Sequence, residues 1–477
     1  MDRRRFLGLS MAAAGAAVPA PTSARVAEGR GAEAAPPAVA TRRGGEPDDP
    51  TYGYLSFAMD AFQPGRAPRL IQSFSDSQQL GSTAFVYDNA LAILAYLARG
   101  QRDDLSRAMV LGDGFLYAQA HDPTFADGRV RQAYWVGPFA LSFARSDAYF
   151  VRADGSVNLV GAPWFFTGSS VSDMSWAGIG LARLSAHTGA SRYLDGALRL
   201  GRWIVDHAFD RVGLGGYSFG VDGNDQRLSA RKLTEHNVDV YAFFTNLLAP
   251  LTGDATWIDR GAHALAFIER MWNAEGGFFY TGSRDGTTID TDVVLEEVQS
   301  ESYLALLDPR YADALDWVKT NLIATDTPQS LRGSLRGNLR LSGVTFSDVS
   351  RRATEQASAS DAWPDPDAVW LEGTAHMAAA LLARGRSAPD DLPTFHGDVA
   401  TAAEYLVHVV LARRELGRRQ TVNGLAIPEA SGVVAASSVL NTGTGFSYYP
   451  NVHLGASSWY LIAAAAANPY RSTPSFA

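Results

Sequence analysis

The sequence predicts an all-α fold, a toroid of about six helical hairpins with short β-hairpin insertions. Three observations predict it. Pairs of amphipathic helices joined by a Thr-Gly turn recur, glycine-aromatic segments follow the second helix of a pair, and the copies are irregular. A single hairpin cannot bury its apolar face, so repeated hairpins must either stack as an open solenoid or close into a ring. Irregular copies joined by long, variable links favour the ring.

The hairpin pattern is clearest in residues 181–209 and 247–272. Each stretch runs from an apolar helix end through Thr-Gly to an aromatic residue, Tyr193 or Trp257, that opens a second amphipathic helix. Glycine after threonine terminates a helix, and the apolar spacing on either side is helical. Further hairpins are predicted at 83–120, 294–322 and 367–414, and a last helix at about 452–467 pairs with a segment near 54–62.

Short β-structure is predicted after two of the second helices. Residues 213–223 and 275–286 alternate aromatic and glycine residues and end in turn signals. This alternation is typical of short strands rather than of further helix. We therefore expect loops that build up one face of the ring.

Composition excludes several classes of protein. The chain has 477 residues, of which 46% are hydrophobic, and it contains no cysteine, so it has neither disulfides nor thiolate sites. The formal net charge of −9 argues against nucleic acid as a partner. No phosphate-binding glycine loop is present, and GLGGYSFG follows a helix rather than a strand, so no cofactor is predicted.

The amino terminus predicts export. Arg3, Arg4 and Arg5 precede an apolar run, residues 6–18, that is too short to span a bilayer permanently. RRRFLG resembles the twin-arginine signal, which implies a periplasmic or extracellular protein that contacts a membrane only during export. We expect a signal peptide with the start of a leader at 1–34, a flexible leader at 35–50, and a single catalytic domain at 51–477.

Acidic side chains recur at the predicted starts of alternate helices. The stretch RKLTEHNVDVY is representative, because Thr234 suits a helix cap and Glu235 suits the positive end of the helix dipole. Dipole stabilisation alone explains any single one of these acids, but it does not explain the tryptophans and tyrosines beside them. Sugars need both, because C–H faces stack on aromatic rings while hydroxyls bond to carboxylates. The acidic candidates are Asp88, Asp173, Glu235, Asp239, Glu297 and Glu372.

The motifs YDNALA, TEHNVDVY and WLEGTAHMAAAL look like inner-helix starts. Through them the chain resembles the six-hairpin, (α/α)6-barrel glycosidase-like superfamily over essentially all of the mature sequence. The resemblance implies a carbohydrate substrate. It also makes Asp173 a catalytic candidate, because members that act on unsaturated uronic sugars use paired aspartates.

Glycosidic hydrolysis needs a protonated carboxyl and a second carboxylate. We predict Glu372 and Asp88 as the leading pair, with Glu235 and Asp173 as further catalytic candidates. Trp370 is expected to shield Glu372 and raise its pKa. The predicted substrate contacts are His236, Asp239, Trp176, Gln299, Glu297, Trp370, His376, Tyr449, His453 and Trp135.

Several alternatives stay open at this stage. His236 or a tyrosine can serve as the base of a polysaccharide lyase or sugar epimerase, and a non-catalytic sugar-binding scaffold is a third possibility. Trp135, Trp164 and Phe165 either wall the cleft or pack an insertion. The histidines and acids include metal-ligand types, but no HExxH spacing occurs and no metal is predicted. A basic stretch either recognises an anionic sugar or is solvated surface; it contains Arg332, Arg336, Arg340, Arg351 and Arg352.

Overall fold

The structure is a computed structural model of the chain. It describes residues 49–62, 67–76, 80–138, 149–160, 166–223, 226–328, 339–359, 361–387 and 392–471. The predicted signal peptide, 1–34, and all but the last two residues of the predicted leader, 35–50, lie outside the described residues. Within the described ranges, no helix combines the length and the apolar character needed to cross a membrane.

The described helices form an inner and an outer set. The inner helices are buried along nearly their whole length, whereas the outer ones are amphipathic. The inner helices are α2 (Val86–Arg99), α4 (Val171–Thr188), α6 (Thr234–Tyr241), α9 (Glu296–Leu306), α11 (Leu371–Ser387) and α13 (Leu454–Ala464). The outer helices are α1 (Pro50–Asp60), α3 (Arg102–Ala120), α5 (Ser191–Ala208), α8 (Thr256–Met271), α10 (Asp313–Asn321) and α12 (Leu392–Glu415). A π-helical stretch, Ala242–Leu248, and the short α7, Ala249–Thr252, extend α6.

The inner helices close into a ring. In chain order, α2 packs on α4, α4 on α6, α6 on α9, α9 on α11 and α11 on α13, and α13 returns to pack on α2. Each inner helix except α13 is followed by its outer partner, and α1 supplies the outer helix for α13. The predicted (α/α)6 toroid of helical hairpins is therefore confirmed.

All six inner helices begin at the same end of the ring, here called the mouth, where one kind of hydrogen bond recurs. The first residue of each inner helix, here called N1, donates its backbone N–H to a carbonyl in the segment preceding the next inner helix. Satisfying one of the unpaired donors of each helix start in this way ties neighbouring repeats together. The six bonds are Val86 to Gln132 (3.0 Å), Val171 to Phe219 (2.9 Å), Thr234 to Thr281 (2.9 Å), Glu296 to Phe346 (2.9 Å), Leu371 to Ala435 (3.0 Å) and Leu454 to Ser73 (2.7 Å).

Polar side chains at the fourth helical position, N4, secure five of the six starts. Asn89 shows the pattern: its Nδ2 donates to the carbonyls of Phe85 and Ile71, and its Oδ1 accepts from the N–H of Ile71 at 2.7 Å. The side chain thus holds an incoming segment against the first turn of the helix. Asn237 and Gln299 make the same three kinds of bond, and the hydroxyls of Thr374 and Ser457 make two of them.

Short antiparallel strands surround this mouth of the ring. Segments 213–223 and 275–286 contain strands, as predicted. The pairs are β1 (Thr83–Phe85) with β2 (Ala133–Trp135), β4 (Gly220–Val221) with β3 (Ser169–Ser170) and β5 (Leu228–Ser229), β6 (Lys232–Leu233) with β9 (Gly282–Ser283), β7 (Trp272–Asn273) with β8 (Phe278–Phe279), β10 (Ile323–Asp326) with β11 (Leu341–Val344), β12 (Thr421–Val422) with β13 (Leu425–Ala426), and β14 (Leu440–Asn441) with β15 (Ser447–Tyr448).

One local expectation is wrong. Thr234 does not cap α6: Leu233 occupies the cap position and makes no side-chain capping bond. The hydroxyl of Thr234 instead donates to the carbonyl of Tyr280 at 2.6 Å, in the hairpin that precedes α9. The threonine therefore joins two repeats, a role that depends on a neighbour distant in sequence.

Candidate functional site

The common register of the inner helices brings five acids into one layer at the mouth. At N2 stand Glu235, Glu297 and Glu372, and at N3 stand Asp88 and Asp173. Because the longer glutamates begin one residue earlier than the shorter aspartates, both kinds of carboxyl can reach the same hollow. These five residues are called the carboxyl ring below.

The sixth inner helix, α13, has glycine at N2. A Cβ added at Gly455 would lie 2.7 Å from Asp88 Oδ1 and 2.9 Å from Glu372 Oε1. The missing side chain therefore leaves room for acids from the two neighbouring helices, α2 and α11, to approach each other across α13.

Exposure divides the carboxyl ring into two groups. Asp88 and Glu372 are 3% and 2% exposed, so they form a sealed wall. Asp173, Glu235 and Glu297 are partly exposed, and the Glu235 side chain retains 22% of its accessible surface. A ligand in the hollow therefore meets the second group first.

Glu372 accepts one hydrogen bond and lies beside two histidines. The hydroxyl of Tyr87 donates to its Oε1 at 3.1 Å, His453 Nδ1 lies 3.4 Å from its Oε2, and His376 Nε2 lies 3.8 Å from its Oε1. Burial acts to raise the pKa of Glu372, but the contact with His376 and the charge on His453 outweigh it, and the pKa falls below its usual value. The expectation that shielding by Trp370 makes Glu372 an acid of raised pKa is therefore wrong.

The two histidines beside Glu372 both have raised pKa values. His453 also contacts Asp88, with Nε2 3.2 Å from Oδ2, and His376 Nδ1 lies 3.4 Å from Glu296 Oε2. Burial disfavours a charged imidazole, but contacts with Glu296 and Glu372 raise the pKa of His376 to about 10. Asp88 and Glu372 likewise raise the pKa of His453. Both acids of the sealed wall therefore contact His453 and are not a free acid–base pair.

Glu235 and Glu297, on the neighbouring helices α6 and α9, shift each other's pKa. Burial acts to raise the pKa of Glu235, but contacts with His236 and Glu297 lower it; His236 Nε2 lies 3.4 Å from Glu235 Oε1. Burial and the charge of Glu235 raise the pKa of Glu297 well above its ordinary value. The two pKa values are therefore pushed apart, with that of Glu297 the higher of the two.

The side-chain carboxyl of Asp173 has a pKa close to neutral pH. Its Oδ2 accepts from the hydroxyl of Ser170 at 2.6 Å, and that hydroxyl in turn accepts from the Asp173 N–H at 3.0 Å. Burial and the negative charge of Asp88 raise the pKa of Asp173, the hydrogen bonds restrain the rise, and the resulting pKa is about 7. The side chain is thus protonated in a large fraction of molecules near pH 7.

A second layer lies one helical turn beneath the carboxyl ring, because residues four apart share a helix face. On α6 and α9 it contains Asp239 and Glu301. Burial and the charge of Glu301 raise the pKa of Asp239 well above its usual value, and burial together with the charges of Glu235 and Glu296 raises the pKa of Glu301 to about 8. Tyr470, from the segment after α13, donates its hydroxyl to Asp239 at 3.0 Å, and Ser172 donates at 2.7 Å.

Five predicted substrate contacts lie behind the hollow. The side-chain amide of Gln299 makes the backbone hydrogen bonds described above, and Asp239 belongs to the second layer. Because a ligand touches only exposed atoms, these side chains support the site and do not face it. Their exposures are 1% for Trp176, Asp239 and Trp370 and 0% for Gln299 and His376.

Tyr448, rather than its neighbour Tyr449, stands over the carboxyl ring. Burial and the charges of Glu372, Glu297 and Asp88 raise the pKa of Tyr448 well above its usual value. Tyr449 points the opposite way and donates its hydroxyl to Asp361 at 2.9 Å. Tyr448 ends strand β15, whose side chains alternate between faces, and the sequence does not say which of two adjacent tyrosines faces inward.

The remaining residues singled out in the sequence lie in several different places. His236 and His453 are 5% and 3% exposed beside the carboxyl ring. Trp135 packs in a small apolar cluster with Phe74 and Leu80. Trp164, Phe165, Arg332 and Arg336 lie outside the described residues. Of the other basic residues, Arg351 and Arg352 are exposed, and Arg352 pairs with Asp348 at 2.7 Å. Among the described residues, no group of three or more acids and histidines is arranged to hold a metal ion.

The closed ring and its carboxyl-lined mouth define the molecule as an (α/α)6 toroid with one polar hollow at the helix starts. Neither a protein-family model nor a curated protein sequence matches the chain. Solved structures with a similar fold include glycoside hydrolases and sugar epimerases or isomerases. The likeness agrees with the predicted (α/α)6 toroid fold.

Three neighbours illustrate the likeness. A family 76 glycoside hydrolase (mannosidase) of Bacteroides thetaiotaomicron VPI-5482 aligns with a TM-score of 0.51 at 11% identity, over 87% of this chain and 96% of its own. A cellobiose 2-epimerase of Bacillus thermoamylovorans gives 0.54 at 10% identity, over 85% and 94%. A D-mannose isomerase gives 0.54 at 12% identity, over 87% and 96%. At these identities the likeness shows the fold.

Proposed function

We propose that the chain is a carbohydrate-active enzyme and, specifically, a glycoside hydrolase with Asp173 as general acid and Glu235 as general base. One observation carries the proposal. Two partly exposed carboxyls of the carboxyl ring, on the neighbouring helices α4 and α6, have pKa values pushed in opposite directions. Such a divergence is how one active site obtains both an acid and a base near neutral pH.

In the proposed reaction, Asp173 gives its proton to the glycosidic oxygen as the bond from that oxygen to the anomeric carbon breaks. Glu235 removes a proton from a water molecule, whose oxygen bonds to the anomeric carbon. Each carboxyl ends in the protonation state opposite to the one in which it began, and exchange with solvent resets both. Tyr448 provides an aromatic face for the sugar ring above the carboxyl ring.

Surrounding groups prepare the two carboxyls for these roles. His236 stabilises the anionic form of Glu235, and Glu297 holds a proton next to it. Burial near Asp88 keeps a proton on Asp173. Glu372 and Asp88, the pair favoured by the sequence, are engaged with His453 and act as the supporting wall.

The charge of the groups that line the mouth indicates the charge of the substrate. The partly exposed carboxylate of Glu235, whose pKa is lowered, repels an anionic ligand, so a neutral sugar fits better than a uronic acid. The polysaccharide lyase alternative is correspondingly less favoured. A closed ring also lacks the open concave surface that a non-catalytic helical scaffold presents.

The test is a glycan screen of the purified protein, followed by two substitutions. The panel includes α-1,6-mannan, cellobiose and D-mannose, sugars taken from the names of structural neighbours. Asp173→Asn and Glu235→Gln are each expected to lower kcat about 10²- to 10⁴-fold. On a dinitrophenyl glycoside, whose leaving group needs no proton, Asp173→Asn should recover activity and Glu235→Gln should not. Full activity in both variants would exclude these roles.

A sugar epimerase or isomerase is the second candidate. His236 favours it, because an imidazole next to the carboxylate of Glu235 is a suitable base for a proton on carbon. Such an enzyme would incorporate deuterium from heavy water into an unhydrolysed sugar. Nuclear magnetic resonance of the product therefore separates the two candidates, since hydrolysis creates new reducing ends without deuterium on carbon.

Export remains a proposal as well. The arginine-rich start and apolar run support a twin-arginine-type signal and a periplasmic or extracellular location. Fractionation of cells that express the full chain, compared with a variant in which Arg4 and Arg5 are replaced by lysine, tests this: retention of the variant in the cytoplasm is expected.

A further inference from the structure

Trp363 is an exposed aromatic side chain that the folded core does not use. It retains 70% of its accessible surface, matched among the exposed large hydrophobics only by Val212. Indole is the largest apolar side chain, and leaving it in water forgoes the burial energy that folding would otherwise gain. An exposed tryptophan on an ordered segment is therefore a candidate binding surface.

The loop that carries Trp363 is anchored on both sides. Before it, the carboxylate of Asp361 accepts from Tyr449 Oη at 2.9 Å and from the N–H of Ser358 at 3.0 Å. After it, the N–H of Asp365 donates to the carbonyl of Val439 at 2.8 Å. Prolines at 364 and 366 fix two further backbone angles. The indole is thus presented by a rigid support, which reduces the entropy lost when a ligand binds.

The same loop lies on the mouth side of the ring, because it leads directly into Leu371, the first residue of the inner helix α11. The N–H of Ala362, the residue before Trp363, donates to the hydroxyl of Tyr449 at 3.4 Å. Tyr449 directly follows Tyr448, which stands over the carboxyl ring. The loop that carries Trp363 is therefore linked to the segment that carries Tyr448 by two hydrogen bonds, from Ala362 and to Asp361, that both involve Tyr449.

We propose that Trp363 is a sugar-stacking platform of an outer subsite, and that the substrate is a neutral glycan several sugar units long. The inference rests on the proposed carbohydrate function of the carboxyl ring. A sugar unit held at Tyr448 leaves the rest of its chain to pass the rim, where the C–H face of a pyranose stacks on the indole. A free monosaccharide would not extend that far, and the exposed indole would have no role.

The test measures binding as a function of chain length. Affinity for α-1,6-linked manno-oligosaccharides and cello-oligosaccharides, from disaccharide to hexasaccharide, is determined by calorimetry in the Glu235→Gln background, which avoids turnover. Retention on gels that contain the corresponding polysaccharides is measured in parallel. Trp363→Ala is expected to weaken binding of the longest oligosaccharides roughly three- to tenfold, with a loss that grows with chain length. Trp363→Phe should restore most of the affinity.

Ile258→Ala is the matched control. Ile258 is 50% exposed on the outer helix α8, away from the mouth, and its replacement should leave affinity unchanged. Three results would overturn the platform. Trp363→Ala could bind every chain length as tightly as the unsubstituted Trp363 protein, or it could lose the same affinity at every length. The Glu235→Gln protein could also bind none of the probes. If affinity depends on chain length but the native protein hydrolyses none of the glycans, the role of Trp363 stands and the proposed hydrolase activity is wrong.

Discussion

Gly455→Ala tests whether the meeting of acids across α13 matters. The new Cβ would lie 2.7 Å from Asp88 Oδ1, 2.8 Å from His453 Cε1 and 2.9 Å from Glu372 Oε1, where ordinary contact begins at 3.4 Å. Both carboxylates must therefore retreat by about 0.5 to 0.7 Å. The Tyr87–Glu372 hydrogen bond, already 3.1 Å long, would pass beyond the useful range.

The expected cost has two parts. Overpacking destabilises by roughly 1–3 kcal/mol, whereas replacing a helical glycine by alanine returns up to about 1 kcal/mol. The free energy of unfolding should thus fall by about 0–3 kcal/mol. Activity should suffer more, about 10- to 100-fold in kcat/KM, because displacements approaching 1 Å are costly at a reaction centre.

Denaturant unfolding and steady-state kinetics measure both effects. Gly53→Ala and Gly397→Ala are the controls, since each glycine is exposed on an outer helix and a Cβ there would meet nothing within 4 Å. Both controls should be slightly stabilised and fully active. A Gly455→Ala protein with wild-type stability and activity would show that the close approach of the carboxylates has no importance.

Two further predictions concern stability. The pKa of His376 is about 10 in the folded protein, whereas its ordinary value is 6.5. Between pH 6.5 and pH 10 the folded state therefore binds a proton at His376 that the unfolded state has lost. Stability is full below about pH 6.5 and falls as pH rises toward 10, by at most about 1.4 kcal/mol per pH unit; a flat or rising melting temperature between pH 7 and 9.5 would contradict this. Asn237→Ala loses three buried bonds and should cost about 2–4 kcal/mol in urea unfolding. Asn246→Ala, which loses one bond to Ala305, is the comparison and should cost clearly less.

Much of the fold follows from local pattern. Thr-Gly turns and helical apolar spacing locate hairpins such as α4 with α5, because helix termination and amphipathicity are properties of neighbouring residues. Acids at helix starts, including Glu235 and Asp88, are also visible in the sequence. The role of N4 residues is not, because Gln299 resembles a substrate ligand until the strand residue it holds, Phe279, is in place.

The sequence by itself determined the repeated hairpins, the closed ring they prefer and the set of carboxyls at the helix starts. Tertiary structure decided which of those carboxyls are sealed and which are charged. Glu372 and Asp173 both begin inner helices, yet histidines from α11 and α13 keep the first ionised, while burial beside Asp88 keeps a proton on the second. A pKa depends on charges and solvent within a few ångströms, and neighbours such as His453 for Glu372 and Asp88 for Asp173 come from other repeats.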